Sequence, residues 1–156
     1  MHRIVRGIFN CRDIWTGTAP RVLFVCPRIT SHPYYYGRIY KNFKRDFGDL
    51  PYLIAGAQPK PVDDDHVVGL LDNVQYEALY RKSRGMYDHS REPRHLRYHP
   101  VEAMIYGMPV IHMKGGLLKA FGDPDGPRFS VETEANDLQQ RAFELLKCTQ
   151  YDEGPV

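Results

Sequence analysis

One stretch limits the possible folds of this chain more than any other: Arg94-His-Leu-Arg-Tyr-His-Pro-Val-Glu-Ala-Met-Ile-Tyr-Gly-Met-Pro-Val-Ile-His-Met113. It reads as a loop, a short helix, a tight turn and a buried strand. Pro100 suits the first turn of a helix, where its missing N–H is not needed. Val101, Met104 and Ile105 fall at helical spacing, so one face can pack. Gly107 is the predicted stop, taking positive φ just past the helix end. Pro109 then opens the run Val110-Ile111, typical of a strand buried on both faces. In α/β sheets, ligands sit outside the carboxyl ends of the strands, beside helix N-termini. Glu102 is expected in the first turn of this helix, at that rim, where a carboxylate can accept hydroxyl hydrogen bonds. An ordinary βα unit with a favourable first-turn charge would give the same pattern.

The rest of the chain alternates in the same way. Residues 21–26 form the first predicted strand. Residues 34–47 follow as a helix, with Ile39, Phe43 and Phe47 four apart and Gly48 as its stop. Strands are expected at 52–55 and, after the acidic run 63–65, at 66–71. Asp72 with Gln75 reads as a capping box that opens a helix to about Ser83. A short strand at 85–88 precedes the segment already described. A Gly/Pro-rich loop at 115–127 leads to a short strand at 128–131. Thr133 is expected to cap a last helix, with Leu138, Ala142, Leu145 and Leu146 on its apolar side. Residues 1–19 are a lead-in, 20–148 the domain, and 149–156 a tail. Short apolar strands alternating with helices predict an α/β, Rossmann-like, mostly parallel sheet with helices on both faces.

Composition narrows the function classes. A chain of 156 residues with 42% hydrophobic and 26% charged content is expected to be one soluble globular domain. The net charge of +2 gives no electrostatic case for nucleic acid. Tyr34-Tyr-Tyr36 resembles a base-stacking surface, but Tyr36, Tyr40 and Phe43 at helical spacing read as core, so no nucleic-acid partner is expected. Cys11, Cys26 and Cys148 are odd in number and far apart, which argues against a disulfide framework or zinc site and fits a reducing cytoplasm. No apolar run approaches the roughly 20 residues of a membrane span. The N-terminus lacks the continuous apolar core of a signal peptide. His95 and His99 are four apart and precede Glu102, but with Pro100 starting the helix both histidines fall in the loop, so no metal is expected. There is no Gly-x-Gly-x-x-Gly after a strand and no Walker loop.

The segment Pro100-Val-Glu-Ala-Met-Ile-Tyr-Gly-Met-Pro-Val110 resembles the donor-nucleotide motif of group-1 GT-B glycosyltransferases, Pro-x-Glu-Ala-Met-x-x-Gly-x-Pro-Val. The resemblance covers about residues 20–148 and is specific near 90–116. It implies a C-terminal-type GT-B domain that binds a nucleoside-diphosphate sugar for transfer to an unknown acceptor, without a metal. By this resemblance Glu102 holds the donor ribose. Arg28 stands where the family's Val-Gly-Arg segment meets the diphosphate, and the family's following Lys is missing from residues 30–37. The backbone of Arg97, Tyr98 and His99 corresponds to the N–H groups facing the diphosphate, with Arg91 and Arg94 adding charge. Glu92 is the counterpart of a donor-sugar contact, although it lies ten residues before Glu102 where the family has eight. Leu71 corresponds to a contact with the base. The resemblance also implies a missing N-terminal half, in the same longer chain or a separate one, and membrane association only through such a partner. The chain alone is then expected to bind weakly, transfer nothing, and expose apolar surface near Ile4, Ile8 and Phe9. A nucleotide-sugar 2-epimerase-like domain and a non-catalytic nucleotide-sugar-binding scaffold are the alternative readings.

Overall fold

The computed structural model describes residues 15–92, 94, 97–116, 118 and 130–147. Cys11, Ile4, Ile8, Phe9, His95, Cys148 and most of the Gly/Pro-rich loop lie outside them. The described elements run β1 (Ala19–Val25), α1 (Tyr36–Phe47), β2 (Tyr52–Ala55), β3 (Val67–Gly69), α2 (Asn73–Lys82), β4 (Ser83–Asp88), α3 (Tyr98–Ile105), β5 (Val110–Met113), β6 (Ser130–Thr133) and α4 (Leu138–Leu146). The six strands form one sheet in the order β3-β2-β1-β4-β5-β6, and every neighbouring pair is parallel. This is the α/β, Rossmann-like arrangement expected from the sequence.

Alternation along β1 builds both layers, because successive side chains on a strand point to opposite faces. Val22, Phe24 and Cys26 join Phe43 and Phe47 of α1 and Leu138 and Ala142 of α4 in one apolar layer. Leu23 and Val25 join Leu79 and Tyr80 of α2 and Ala103 and Met104 of α3 in the other. All four residues of β5 are buried, as a strand covered on both faces requires.

The helix ends show why these residues stop where they do. Asp72 accepts from the Gln75 N–H and Gln75 accepts from the Asp72 N–H, completing the expected capping box. At the end of α3, the Met108 N–H bonds Ala103 O and the Gly107 N–H bonds Met104 O, both at 3.0 Å. That double bond pattern is a Schellman motif, and it needs the left-handed φ of +86° that Gly107 supplies.

Three expectations change. The helix α3 starts at Tyr98, so His99 is helical and Glu102 is its fifth residue, in the second turn rather than the first. Pro100 as third residue removes a donor that has no intrahelical partner there, so the helix extends past it without loss. Thr133 does not cap the last helix: it ends β6, donates to Glu134 O at 3.1 Å, and a 3-10 turn at Ala135–Asp137 leads into α4. The strand expected at 66–71 is confined to Val67–Gly69, the end strand of the sheet among the described residues.

Two polar nodes lock the layers together. Asp64, with a side chain only 6% exposed, accepts from Tyr40 Oη at 2.7 Å, Tyr52 Oη at 2.8 Å and the His66 N–H at 2.9 Å. Lys44 bonds the Tyr52 hydroxyl and lies 3.5 Å from the same carboxylate. On the central strand β4, the fully buried Arg84 donates to Gly17 O at 2.9 Å and to Leu146 O at 2.6 Å. Leu146 is the last residue of α4, so a cation there also meets the negative end of the helix.

Candidate functional site

In an open parallel sheet, ligands bind where the strand order reverses, outside the carboxyl ends of the strands. Here the reversal lies between β1 and β4. Three segments converge on that crevice: residues 26–28 after β1, 88–90 after β4, and 97–99 at the start of α3. A fourth closes in from β5. A Cβ built on Gly116 would meet Ser90 O at 2.7 Å, so only glycine lets the loop after β5 pack this close.

Arg97 is the centre of this site. It is the N-cap residue of α3, and its Nε lies 3.3 Å from Asp88 Oδ1 at the end of β4. Asp88 is buried and pairs in register with the equally buried His112 on β5. The Arg97 charge reaches both strand ends. Burial pushes His89 down to about 4, and the Arg97 cation pushes it the same way. Burial pushes the Cys26 thiol up to about 12, with Arg97 acting in the opposite sense. His89 is therefore neutral at pH 7, and its buried Nε2 has no hydrogen-bond partner among the described residues. Its ring meets Phe24 edge-on, with centroids 6.0 Å apart.

The start of α3 faces this charge with open donors. Arg97 makes no side-chain cap, and no acidic residue lies in the first turn. The first N–H groups of a helix lack intrahelical partners and carry the positive end of its dipole. Tyr98 and His99 supply such groups, and Pro100 supplies none. Arg28 stands across the crevice after β1. It is exposed and holds φ of +54°, the one described non-glycine residue in the left-handed region. Its N–H bonds Ala57 O at 2.8 Å and its carbonyl accepts from the His32 N–H at 2.9 Å. Left-handed backbone costs about 1–2 kcal/mol at an ordinary residue, and such outliers gather at functional sites.

Glu102 is exposed, and its Oε2 accepts from the buried Tyr80 hydroxyl at 2.9 Å. The same hydroxyl lies 2.9 Å from His99 Nδ1, and Tyr76 stacks on the His99 ring at 4.9 Å. The structure thus joins Glu102 to His99 through Tyr80, on the seam between α2 and α3. Arg91, Glu92 and Arg94 are exposed on the loop before α3, and the Glu92 N–H donates to Ser90 Oγ at 3.3 Å. Leu71 is half-buried against the second apolar layer, which accounts for it without a ligand.

Asp88, His89 and Tyr80 did not stand out in the sequence. The change from Met86-Tyr87 to Asp88-His-Ser90 marks the end of a strand at the switch point, and that was the available signal. Tyr80 packs in the second apolar layer, and only its hydroxyl reaches Glu102 and His99. Exposed apolar side chains gather at the carboxyl edge of the sheet: Tyr34 and Tyr35 after β1, Leu70 and Val74 around the start of α2, and Tyr98 at the start of α3. The surface expected at Ile4, Ile8 and Phe9 lies outside the described residues. No protein-family model matches the chain, and no curated protein is significantly similar to it in sequence.

Proposed function

We propose that this domain binds a nucleoside-diphosphate sugar at the β1–β4 crevice and serves as the donor half of a glycosyltransferase. The observation that carries this reading is the setting of the Pro100–Val110 segment. It forms α3, the Schellman turn and β5 directly beside the strand-order reversal, with Arg97 and the open N–H groups at the head of the helix. In this reading Arg28, Arg97 and those N–H groups face the diphosphate. Fixed donors and cations of this kind offset charge on a leaving diphosphate without reorganising. Glu102 takes the ribose. The exposed apolar rim is where a second, acceptor-binding half would seat, and transfer requires that half because donor and acceptor must be held in near-attack geometry.

Calorimetry with UDP, GDP and uridine tests the reading. Affinity is expected to rise from nucleoside to diphosphate and to fall with added salt. Glu102→Ala should weaken the preferred nucleotide roughly 10- to 100-fold, the worth of a hydrogen bond to a charged group. Absence of binding by both UDP and GDP, with the protein folded, would sink the assignment.

A further inference from the structure

The contacts of Tyr80 determine which nitrogen of His99 carries its proton. A tyrosine hydroxyl has one hydrogen to give, and a carboxylate only accepts. Tyr80 donates to Glu102 Oε2 at 2.9 Å. The His99 Nδ1 atom, 2.9 Å from the same hydroxyl oxygen, must then be the donor in that contact. The relay runs from His99 Nδ1–H to Tyr80 Oη–H to Glu102. In the neutral ring one nitrogen donates and the other accepts, so Nε2 holds a lone pair. Burial lowers the His99 pKa, which favours the neutral ring. Among the described residues nothing bonds Nε2, and it is not a buried atom. Tyr76 covers one ring face and fixes the ring plane.

His99 and Glu102 are three apart on α3, hence on one helix face. The helix starts at the crevice, so this face carries two hydrogen-bond acceptors one helical turn apart: a carboxylate and, on the ring edge away from Tyr80, an imidazole nitrogen. Acceptors at that spacing can take the two hydroxyls of one ring diol. We propose that His99, aimed by Tyr80, is a second diol-reading residue beside Glu102, so that the pair selects a ribonucleotide over a nucleotide lacking both ribose hydroxyls. Tyr80 is a positioning residue in this scheme: it touches no ligand and sets the tautomer. The proposal rests on the nucleotide reading of the crevice and adds to it a residue and a selectivity.

The test combines imidazole nitrogen NMR with calorimetry on the full chain. In protein carrying ¹⁵N-labelled histidine, His99 should show Nδ1 protonated and Nε2 unprotonated. Tyr80→Phe should release that tautomer preference, and a thermal melt establishes that the variant is folded. Adding UDP should shift the Nε2 signal, while inorganic pyrophosphate should not. UDP should bind at least tenfold more tightly than 2′,3′-dideoxy-UDP. His99→Phe, which keeps the ring stacked on Tyr76, should reduce that ratio severalfold. A protonated Nε2 in the free protein, or an unchanged ratio in His99→Phe, overturns the proposal while leaving the diphosphate site standing. Failure of UDP, GDP and pyrophosphate alike to bind overturns the nucleotide reading, and the diol role with it.

Discussion

At the residue scale, Arg28 and His89 each carry a local cost in stability. Arg28 keeps a side chain where glycine is favoured. Arg28→Gly is expected to be about 1 kcal/mol more stable than Arg28→Ala, because only glycine relieves the left-handed backbone. Both variants should lose most of the preference for UDP over uridine. Paired urea melts and calorimetry separate the two effects. His89 is held neutral well below its ordinary range. An unfolded chain binds its proton near 6.5 and the folded chain only near 4, so its contribution to stability is full above 6.5 and is lost as pH falls toward 4. His89→Phe removes a buried nitrogen that is unpaired among the described residues, and should shrink the loss of stability between pH 7 and pH 5 without lowering stability at pH 7. An undiminished pH dependence would place the titrating group elsewhere. Asp64 behaves as an acid-side counterpart. Burial pushes its pKa up, but hydrogen bonds from Tyr40, the His66 backbone and Tyr52 outweigh that and hold it well below the usual carboxylate range. Its contribution is present above about pH 4 and is lost as pH falls below.

At the element scale, α3 has an open start and a closed end. The start lacks a side-chain cap and an acid, which leaves its donors available. The end is fixed by the Schellman bonds at Gly107. Gly107→Ala is expected to destabilise the protein by about 1–2 kcal/mol, the cost of forcing an L-residue into left-handed φ. Asp72→Ala should cost about 1 kcal/mol through loss of the capping box at α2. The two sites lie on different helices and share no partner, so the double variant should show additive losses in urea melts. Strong non-additivity would reveal a coupling between α2 and α3 through the Tyr80 relay.

At the scale of the whole molecule, Arg84 ties the entry segment and the last helix to the central sheet. One guanidinium bonds Gly17 before β1 and Leu146 at the end of α4. Hydrogen bonds to charged groups contribute about 1.5–3 kcal/mol, so Arg84→Met should cost at least that much. Hydrogen exchange should accelerate at both ends of the domain together, at residues 15–17 and 145–147. Acceleration at one end alone would show that the buried cation is not the link. The opposite, carboxyl edge carries the crevice and the exposed Tyr34, Leu70, Val74 and Tyr98. On the proposed reading, nucleotide binding draws on the carboxyl edge and not on Arg84, so Arg84→Met is expected to lower stability with little change in nucleotide affinity once folded.

The periodic apolar pattern determined the elements, because burial of one helix face or of both strand faces can be read from spacing alone. Residues 21–26, 52–55 and 110–113 announced themselves as strands, and Asp72-Gln75 and Gly107 announced their helix ends, since each rests on contacts within a few residues. Glu102 was legible as a candidate by residue type and by its place near a strand end, and Arg28 and Arg97 only through the resemblance carried by the Pro100–Val110 segment. The order β3-β2-β1-β4-β5-β6 was decided only by tertiary packing, and with it the crevice between β1 and β4. The Asp88–Arg97 pair joins residues nine apart across a loop, the Asp64 node joins α1 to β2, and the Tyr80 relay joins α2 to α3. Spacing within a chain carries no record of such contacts, because each depends on where a side chain from another element comes to lie. The start of α3 belongs with them: local propensity places a helix at Pro100, and the contacts of His99 with Tyr80 and Tyr76 accompany its beginning two residues earlier.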